Sequence, residues 1–427
     1  MTTAIVAVFA LAYAVVALEH PFRINKAATA LVGAGLMWTI YALAGGAAAQ
    51  VAGELNDSVA STAQIIFFLI GAMTIVEVID AHNGFEVVTS LIGTRSQVAL
   101  VWLVGFVTFF LSAMLDNLTT AIVMVSLMKK LSGRDEDRLV FAAIVVIAAN
   151  AGGAWSAIGD VTTAMLWIGG QITPVAIMTS VFIASLLNLV VPLTVVSFGL
   201  RGKQLEPPVS AGRATISPIL PFERNLMFAL GLGALVLVPA FKAATGLPPF
   251  MGILFGLGIL WMVGEIIHRE KASDQKQRLT LVHALTRIDM PSIVFFIGIL
   301  LAVAALEHTH ILQALALWLD RTVGRLDLIV IVLGLASAVI DNVPLVAASM
   351  GMYGLGQYPP DSFLWEFVAY CAGTGGSILI IGSAAGVAAM GLENIHFFWY
   401  VRRISFIALL GYFAGALAYI VQYQLTH

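Results

Sequence analysis

Long apolar runs alternate with short polar breaks along most of this chain. A helix needs roughly 20 apolar residues to cross a bilayer. The pattern predicts spans near 3–19, 27–49, 60–80, 139–167, 174–199, 225–241, 249–267, 290–306, 363–391 and 398–423. Two further runs, 97–128 and 328–355, are too long for one upright helix, and each carries an Asp-Asn pair at its middle. These read as re-entrant hairpins with the polar pair at the tip, because non-helical backbone is tolerated at membrane depth only where protein or a water-filled cavity covers it. Segments 83–95 and 308–326 look amphipathic and suit a position along the surface.

Composition removes the soluble alternative. Hydrophobic residues make up 60% of the chain and charged residues 11%, too few charges to cover a water-soluble core of this size. The net charge of -3 gives no ground for nucleic-acid binding. The single cysteine, Cys371, excludes an intrachain disulfide and reads as a small buried residue. The first span lacks a basic leader and is read as a helix rather than a signal peptide.

Positive charge sets an orientation. Arg23 and Lys26 follow the first span, and Lys129, Lys130, Arg134 and Arg138 follow the first hairpin. Arg201, Lys203 and Arg213 lie in the middle of the chain, His268, Arg269, Lys271, Lys276, Arg278 and Arg287 crowd one later loop, and Arg402 and Arg403 open the last span. Loops 50–59, 168–174 and 356–362 carry no Lys or Arg. Ten spans with both termini outside fit this alternation; Arg321 and Arg325 are the exception.

The two halves repeat each other. Residues 112–117 read Ser-Ala-Met-Leu-Asp-Asn and residues 337–342 read Ser-Ala-Val-Ile-Asp-Asn. Gly152-Gly153 leads to Gly159-Asp160 as Gly375-Gly376 leads to Gly382-Ser383. Phe67-Phe68 and Phe295-Phe296 open equivalent spans. Five spans per half is an odd number, so the second half runs through the membrane in the opposite sense. The expected fold is therefore an all-α polytopic membrane protein: an inverted repeat of two halves, each with five transmembrane helices and one re-entrant hairpin, with broken helices at the repeat interface. The first repeat covers 1–199 (scaffold 1–95, hairpin and broken helix 96–199). A cytoplasmic linker covers 200–224 and contains Pro207-Pro208 and Ser217-Pro218. The second repeat covers 225–427 (scaffold 225–326, hairpin and broken helix 327–427).

Charges inside the apolar runs are rare: Asp116, Asp160 and Asp341 each stand alone. An ionisable group at depth is costly and marks a functional site by default. Around them cluster oxygen-bearing side chains: Asn117, Thr119, Asn150, Asn342, Thr374, Ser377 and Ser383. The glycine pairs Gly152, Gly153, Gly375 and Gly376 are expected to unwind their helices and free carbonyls for a small cation; close helix packing is the competing explanation. Because Asp160 faces Ser383 across the repeat, the first half is expected to gather Asp116, Asn117, Thr119 and Asp160. The second half is expected to gather Asp341, Asn342, Thr374 and Ser383. Glu77 and Asp80, with His82 beyond, mark either a proton path or a helix end. Glu307, His308 and His310 hold the analogous end of the second half. Glu19, His20 and His396 (beside Trp399 and Tyr400) suit the membrane interface. No lysine is expected at depth.

At Ser112–Met124 (SAMLDNLTTAIVM), Ala148–Gly170, Ser337–Tyr353 and Gly373–Arg403 the chain resembles the NhaD-type sodium/proton antiporters of the ion transporter superfamily, over nearly its whole length. The resemblance implies a secondary active transporter and not an enzyme. It would exchange Na+ (and Li+) for H+ as a multi-pass homodimer of a cell membrane, the bacterial inner membrane, with a dimerising scaffold, a mobile transport domain and no cofactor. The superfamily's symporters carry Ser-Asn-Thr at their hairpin tips, whereas the tips here read Asp116-Asn117-Leu118-Thr119 and Asp341-Asn342-Val343-Pro344. A pair of carboxylates there would repel an anionic substrate, which leaves a sodium-coupled dicarboxylate-type symporter as the alternative. An intramembrane aspartyl protease is a further rival at Ala157-Ile158-Gly159-Asp160, but its first glycine is missing.

Overall fold

The computed structural model describes residues 1–17, 24–44, 48–89, 94, 96–205, 219–269, 271 and 273–426. Glu19, His20, Arg23, Arg213 and most of the linker 200–224, including its proline pairs, lie outside the described residues. The described residues are helical throughout, joined by turns. The first half comprises α1 (Thr2–Ala17), α2 (Lys26–Ala44), α3 (Ala48–Ala81), α4 (Gln97–Ser112), α5 (Asn117–Leu131), α6 (Asp135–Ala154), α7 (Val161–Ile168) and α8 (Pro174–Leu200). The second comprises α9 (Pro221–Val236), α10 (Val238–Thr245), α11 (Pro249–Ile267), α12 (Met290–His308), α13 (Ile311–Thr322), α14 (Leu326–Ala336), α15 (Asn342–Met352), α16 (Phe363–Gly375), α17 (Ala384–Glu393) and α18 (Phe406–Thr426). A π-helical segment, Val401–Ser405, leads into α18.

Among the described residues, seven helices are long and apolar enough to cross a membrane, and eight if the bent pair α9–α10 (46°) is one span. Three of the ten expected spans differ. α1 has 16 residues, the run 139–167 is split into α6 and α7, and the run 363–391 is split into α16 and α17, each of the last two too short to cross alone. The loop expected at 50–59 does not exist as a loop. Those residues form the first turns of α3, a 34-residue helix about 51 Å long. Glu54 is accommodated there because Tyr41 Oη (2.7 Å) and Gln50 Nε2 (2.9 Å) donate to its carboxylate.

Two helices form the centre. Every residue of α6 from Phe141 to Ala154 is buried, as is every residue of α16 from Leu364 to Gly375. α4 packs on α6, and α14 packs on α16. The remaining arms bridge the halves: α5 packs on α6 and on α17, and α15 packs on α16 and on α7. Around this group, α2 packs against α1 and α12, and α3 packs against α9 and α11. The apolar side chains left exposed, such as Phe222, Phe255, Met262 and Leu417, are those a lipid-facing surface requires.

Candidate functional site

Each hairpin turns at an aspartate that caps the following helix. Asp116 is extended (φ -158°, ψ 163°), and its carboxylate accepts from Thr119 N at 2.8 Å and Thr119 Oγ1 at 2.7 Å. Asp341 accepts from Val343 N at 3.3 Å. An acidic oxygen satisfies otherwise unpaired N–H groups at a helix start and favours the positive end of its dipole. Pro344 costs nothing in the first turn, where no helical acceptor exists for its missing N–H. Just before each turn, a serine ties the hairpin to its central helix. Ser112 Oγ donates to Ala149 O at 2.6 Å, and Ser337 Oγ donates to Ala372 O at 2.8 Å.

Both central helices break. Beyond Ala154 the chain leaves the helix until Asp160 caps α7, accepting from Thr162 N and Thr162 Oγ1, each at 2.9 Å. Beyond Gly375 it does so until Ser383 caps α17, accepting from Gly386 N at 3.2 Å. The glycine pairs do not unwind as expected. Gly152, Gly153 and Gly375 remain helical, and Gly376 is a right-handed cap (φ -59°, ψ -14°). Their role is close approach: a Cβ on Gly152 would fall on the carbonyl of Phe109, and one on Gly375 on the carbonyl of Gly334. The small residues let α4 and α14 lie backbone-to-backbone on the central helices, which is the packing explanation.

Four helix starts (α5, α7, α15, α17) and four helix ends (α4, α6, α14, α16) therefore meet. At the meeting point Asp160, 2% exposed, receives two amides on Oδ2. Asn117 Nδ2 donates from one tip, and Asn342 Nδ2 donates from the other at 3.4 Å. With Thr162 on Oδ1, the lone-pair positions of the carboxylate are filled. Asn117 Nδ2 also donates to Asn150 Oδ1 at 3.1 Å. Asn150 Nδ2 donates to Ser377 Oγ and Ser383 Oγ, both at 2.9 Å. One connected polar network thus joins both tips and both breaks, inside packing that admits no other polar group cheaply.

The network does not sort by halves as expected. Asn342 serves Asp160, and Ser383 serves Asn150. Asp116 turns to Thr119. Thr374 Oγ1 donates back to Tyr370 O at 2.6 Å. Glu77 and Asp80 each meet Arg287, at 3.2 Å, so the two acids share one guanidinium. His396 is exposed, while Tyr400 nearby is fully buried and its hydroxyl donates to Ser377 O at 2.8 Å. His308 lies tilted against Trp38 (5.9 Å between centroids) and meets Ser58 Oγ at 3.1 Å.

Three residues of the site were missed. Thr162 and Thr163 (whose Oγ1 donates to Asp160 O at 3.0 Å) lie two and three residues after Asp160, and an aspartate before an apolar helical run is itself a cap signal. The third is Lys26, at the partly exposed start of α2, whose Nζ lies 3.4 Å from Asp341 Oδ2. Lys26 and Asp341 share the wall of a cavity of about 460 Å³ that also reaches Tyr13, Asp289 and Ser383.

A family model described as "Citrate transporter" matches residues 13–368. "Sodium/proton antiporter 1" of Arabidopsis thaliana is 48% identical over 419 residues, 98% of this chain and 72% of the relative. "Na(+)/H(+) antiporter NhaD" of Vibrio cholerae is 29% identical over 419 residues, 91% of this chain and 84% of the relative. "Na(+)/H(+) antiporter NhaD" of Alkalimonas amylolytica is 28% identical over 446 residues, 96% of this chain and 88% of the relative. The chain belongs to the NhaD-type sodium/proton antiporter family. As an NhaD-type protein it is a multi-pass membrane transporter and not an enzyme.

Proposed function

We propose that this protein exchanges sodium for protons by alternating access, with aspartates binding cation and proton in competition. The observation that carries the reading is Asp160, buried at the junction of both tips and both breaks and held by amides from each hairpin. An asparagine amide has a donor end and an acceptor end. With donors forward, Asn117 and Asn342 suit an empty, ionised Asp160. A half-turn of each presents oxygens, and with Asp160 and the carbonyl ends of the broken helices they make an all-oxygen shell for a hard cation. Asp116 and Asp341 supply further charge nearby. Lithium, smaller and equally hard, fits the same donor set.

The inverted repeat is supported by the paired serine–carbonyl contacts and the bridging packing of α5 on α17 and α15 on α7. In this reading the α4–α5 and α14–α15 hairpins are re-entrant from opposite sides, and the cavity beside Lys26 opens to the basic, cytoplasmic face. The family's pattern argues for a homodimer through the scaffold half-domains 1–95 and 225–326. For a bacterial chain the membrane would be the inner one.

The name of the matching family model and the four converging helix starts favour a second reading, anion symport. Helix N-termini bind anions. Here, however, Asp116, Asp160 and Asp341 occupy the cap positions at three of the four starts, so the protein's own carboxylates fill the places an anion would take. The deciding experiment is dissipation of a pH gradient in proteoliposomes on adding sodium, lithium, potassium or citrate. Sodium-dependent dissipation without citrate supports exchange. Sodium-dependent citrate uptake, with no proton movement on sodium alone, would replace it with symport.

A further inference from the structure

Lys26 opens α2, a helix packed against α1 and α12, and its ammonium sits between two groups. On one side is the ring of Phe295 in α12, with the ammonium 4.6 Å from the ring centroid. On the other is Asp341, 3.4 Å away at the second hairpin tip and 315 residues further along the chain. Lysine and aspartate are partly exposed, at 26% and 16% of their side-chain surface, and both line the cavity. Water therefore reaches the pair, while the ring face holds the lysine stem in place.

An exchanger has one requirement that a binding site alone does not meet. The empty carrier must not cross, or sodium leaks without a returning proton. We infer that Lys26 enforces this rule as an internal cation: it holds the empty, ionised Asp341 tip against the α1–α2–α12 body. Sodium or a proton at Asp341 removes the charge that Lys26 holds, the pair loosens, and the loaded tip is free to move. An ammonium and a sodium ion carry the same charge, so the two compete for one carboxylate. Lys26 acts through Asp341 and is a positioning residue for coupling, not a ligand of the transported ion.

This inference rests on the exchange reading above, and its test separates the two. Wild-type protein in proteoliposomes is assayed first for sodium-driven proton movement; failure there sinks the exchange reading and leaves Lys26 without this role. Sodium efflux and proton uptake are then measured together for Lys26→Met, Lys26→Gln and Lys26→Arg. The methionine keeps the stem over Phe295, so it serves if the glutamine variant folds poorly. Loss of the ammonium is expected to lower the protons moved per sodium by about twofold or more, through return of empty carriers. It is also expected to lower the sodium half-saturation by about threefold, the effect of removing one partly exposed ion pair. Arginine is expected to restore the wild-type ratio. A wild-type proton-to-sodium ratio in Lys26→Met, or a half-saturation that rises, would overturn the inference, because a merely structural lysine would change the rate and not the ratio.

Discussion

Asn342 Nδ2 donates to Asp160 Oδ2 at 3.4 Å, so an amide of the second hairpin ends on the acid of the first broken helix. The acid and its ligands belong to both halves. Movement of either tip is therefore felt at one carboxylate, which is the coupling a single exchange site needs.

That placement makes Asp160 unequal to its repeat partner. Asp160→Asn keeps the shape and removes the charge, leaving Asn117 and Asn342 to face a neutral amide. We expect the sodium half-saturation to rise at least about tenfold, corresponding to ~1.4 kcal/mol, or exchange to stop. Ser383→Ala removes one acceptor of Asn150 while Ser377 remains at 2.9 Å, so its shift should stay below about threefold. Titrating both at one alkaline pH decides the matter, and a larger effect from Ser383→Ala would remove Asp160 from the centre.

The tips give a second test. Asn can replace Asp as a helix cap with little loss, so Asp116→Asn and Asp341→Asn should fold and keep their hairpins. Exchange should fall by about tenfold or more in each, since a charge that competes for sodium and protons is gone. Purified variants with wild-type melting temperature and wild-type exchange would show that the tip charges serve only as caps.

Much of this was legible because charge in an apolar run is conspicuous. Asp116, Asp160 and Asp341 stood alone in the sequence, and their Asp-Asn and Gly-Gly surroundings located both turns and both breaks. What the sequence could not carry was partnership. Lys26 stands at the water-facing start of a helix, where lysine is ordinary, and only folding lays its stem on Phe295 and brings it to Asp341. The crossing of Asn342 to Asp160 is equally invisible, because the repeat invites grouping by halves. The glycines showed freedom from side chains but not their neighbours, so close packing read as unwinding. Glu54 and Asp57 read as loop residues until Tyr41 and Gln50 appeared beside Glu54.

The glycine reading has its own measurement. At Gly375 a methyl group would meet the backbone carbonyl of Gly334, which cannot yield without moving α14. At Gly258, half-buried in α11, a Cβ meets nothing within 4 Å. Gly375→Ala should lower stability by ~1–3 kcal/mol, the usual cost of overpacking, whereas Gly258→Ala should be neutral or slightly stabilising from helix propensity. Thermal unfolding in detergent compares them, and equal melting temperatures would return Gly375 to a role in unwinding.

The last prediction concerns a pair of histidines one residue beyond the ends of α3 and α11. His82 and His268 stack with centroids 4.9 Å apart, and their Nε2 atoms are 3.2 Å apart. His82 Nδ1–H donates to Val78 O at 2.7 Å, so His82 Nε2 is the acceptor and His268 supplies the proton between them. That arrangement holds only while His82 is neutral, since a proton on its Nε2 would set two N–H groups against each other, and a charged His268 would have to be buried beside it. Burial pushes both rings below their usual range, and the neighbouring ring and Lys271 add to it at His268, which falls from 6.5 to about 4. Glu223, ion-paired with Lys271, and Glu265 act in the opposite direction. A histidine held neutral in the folded protein contributes stability that is fully present above about pH 6.5 and is lost as the pH falls toward 4, because the unfolded chain takes up the proton first. The melting temperature should therefore fall across that window. His268→Gln keeps a donor toward His82 and removes one titrating group, so its melting temperature should fall less steeply from pH 6.5 to 4.5. An equal slope in the variant would assign the acid sensitivity elsewhere.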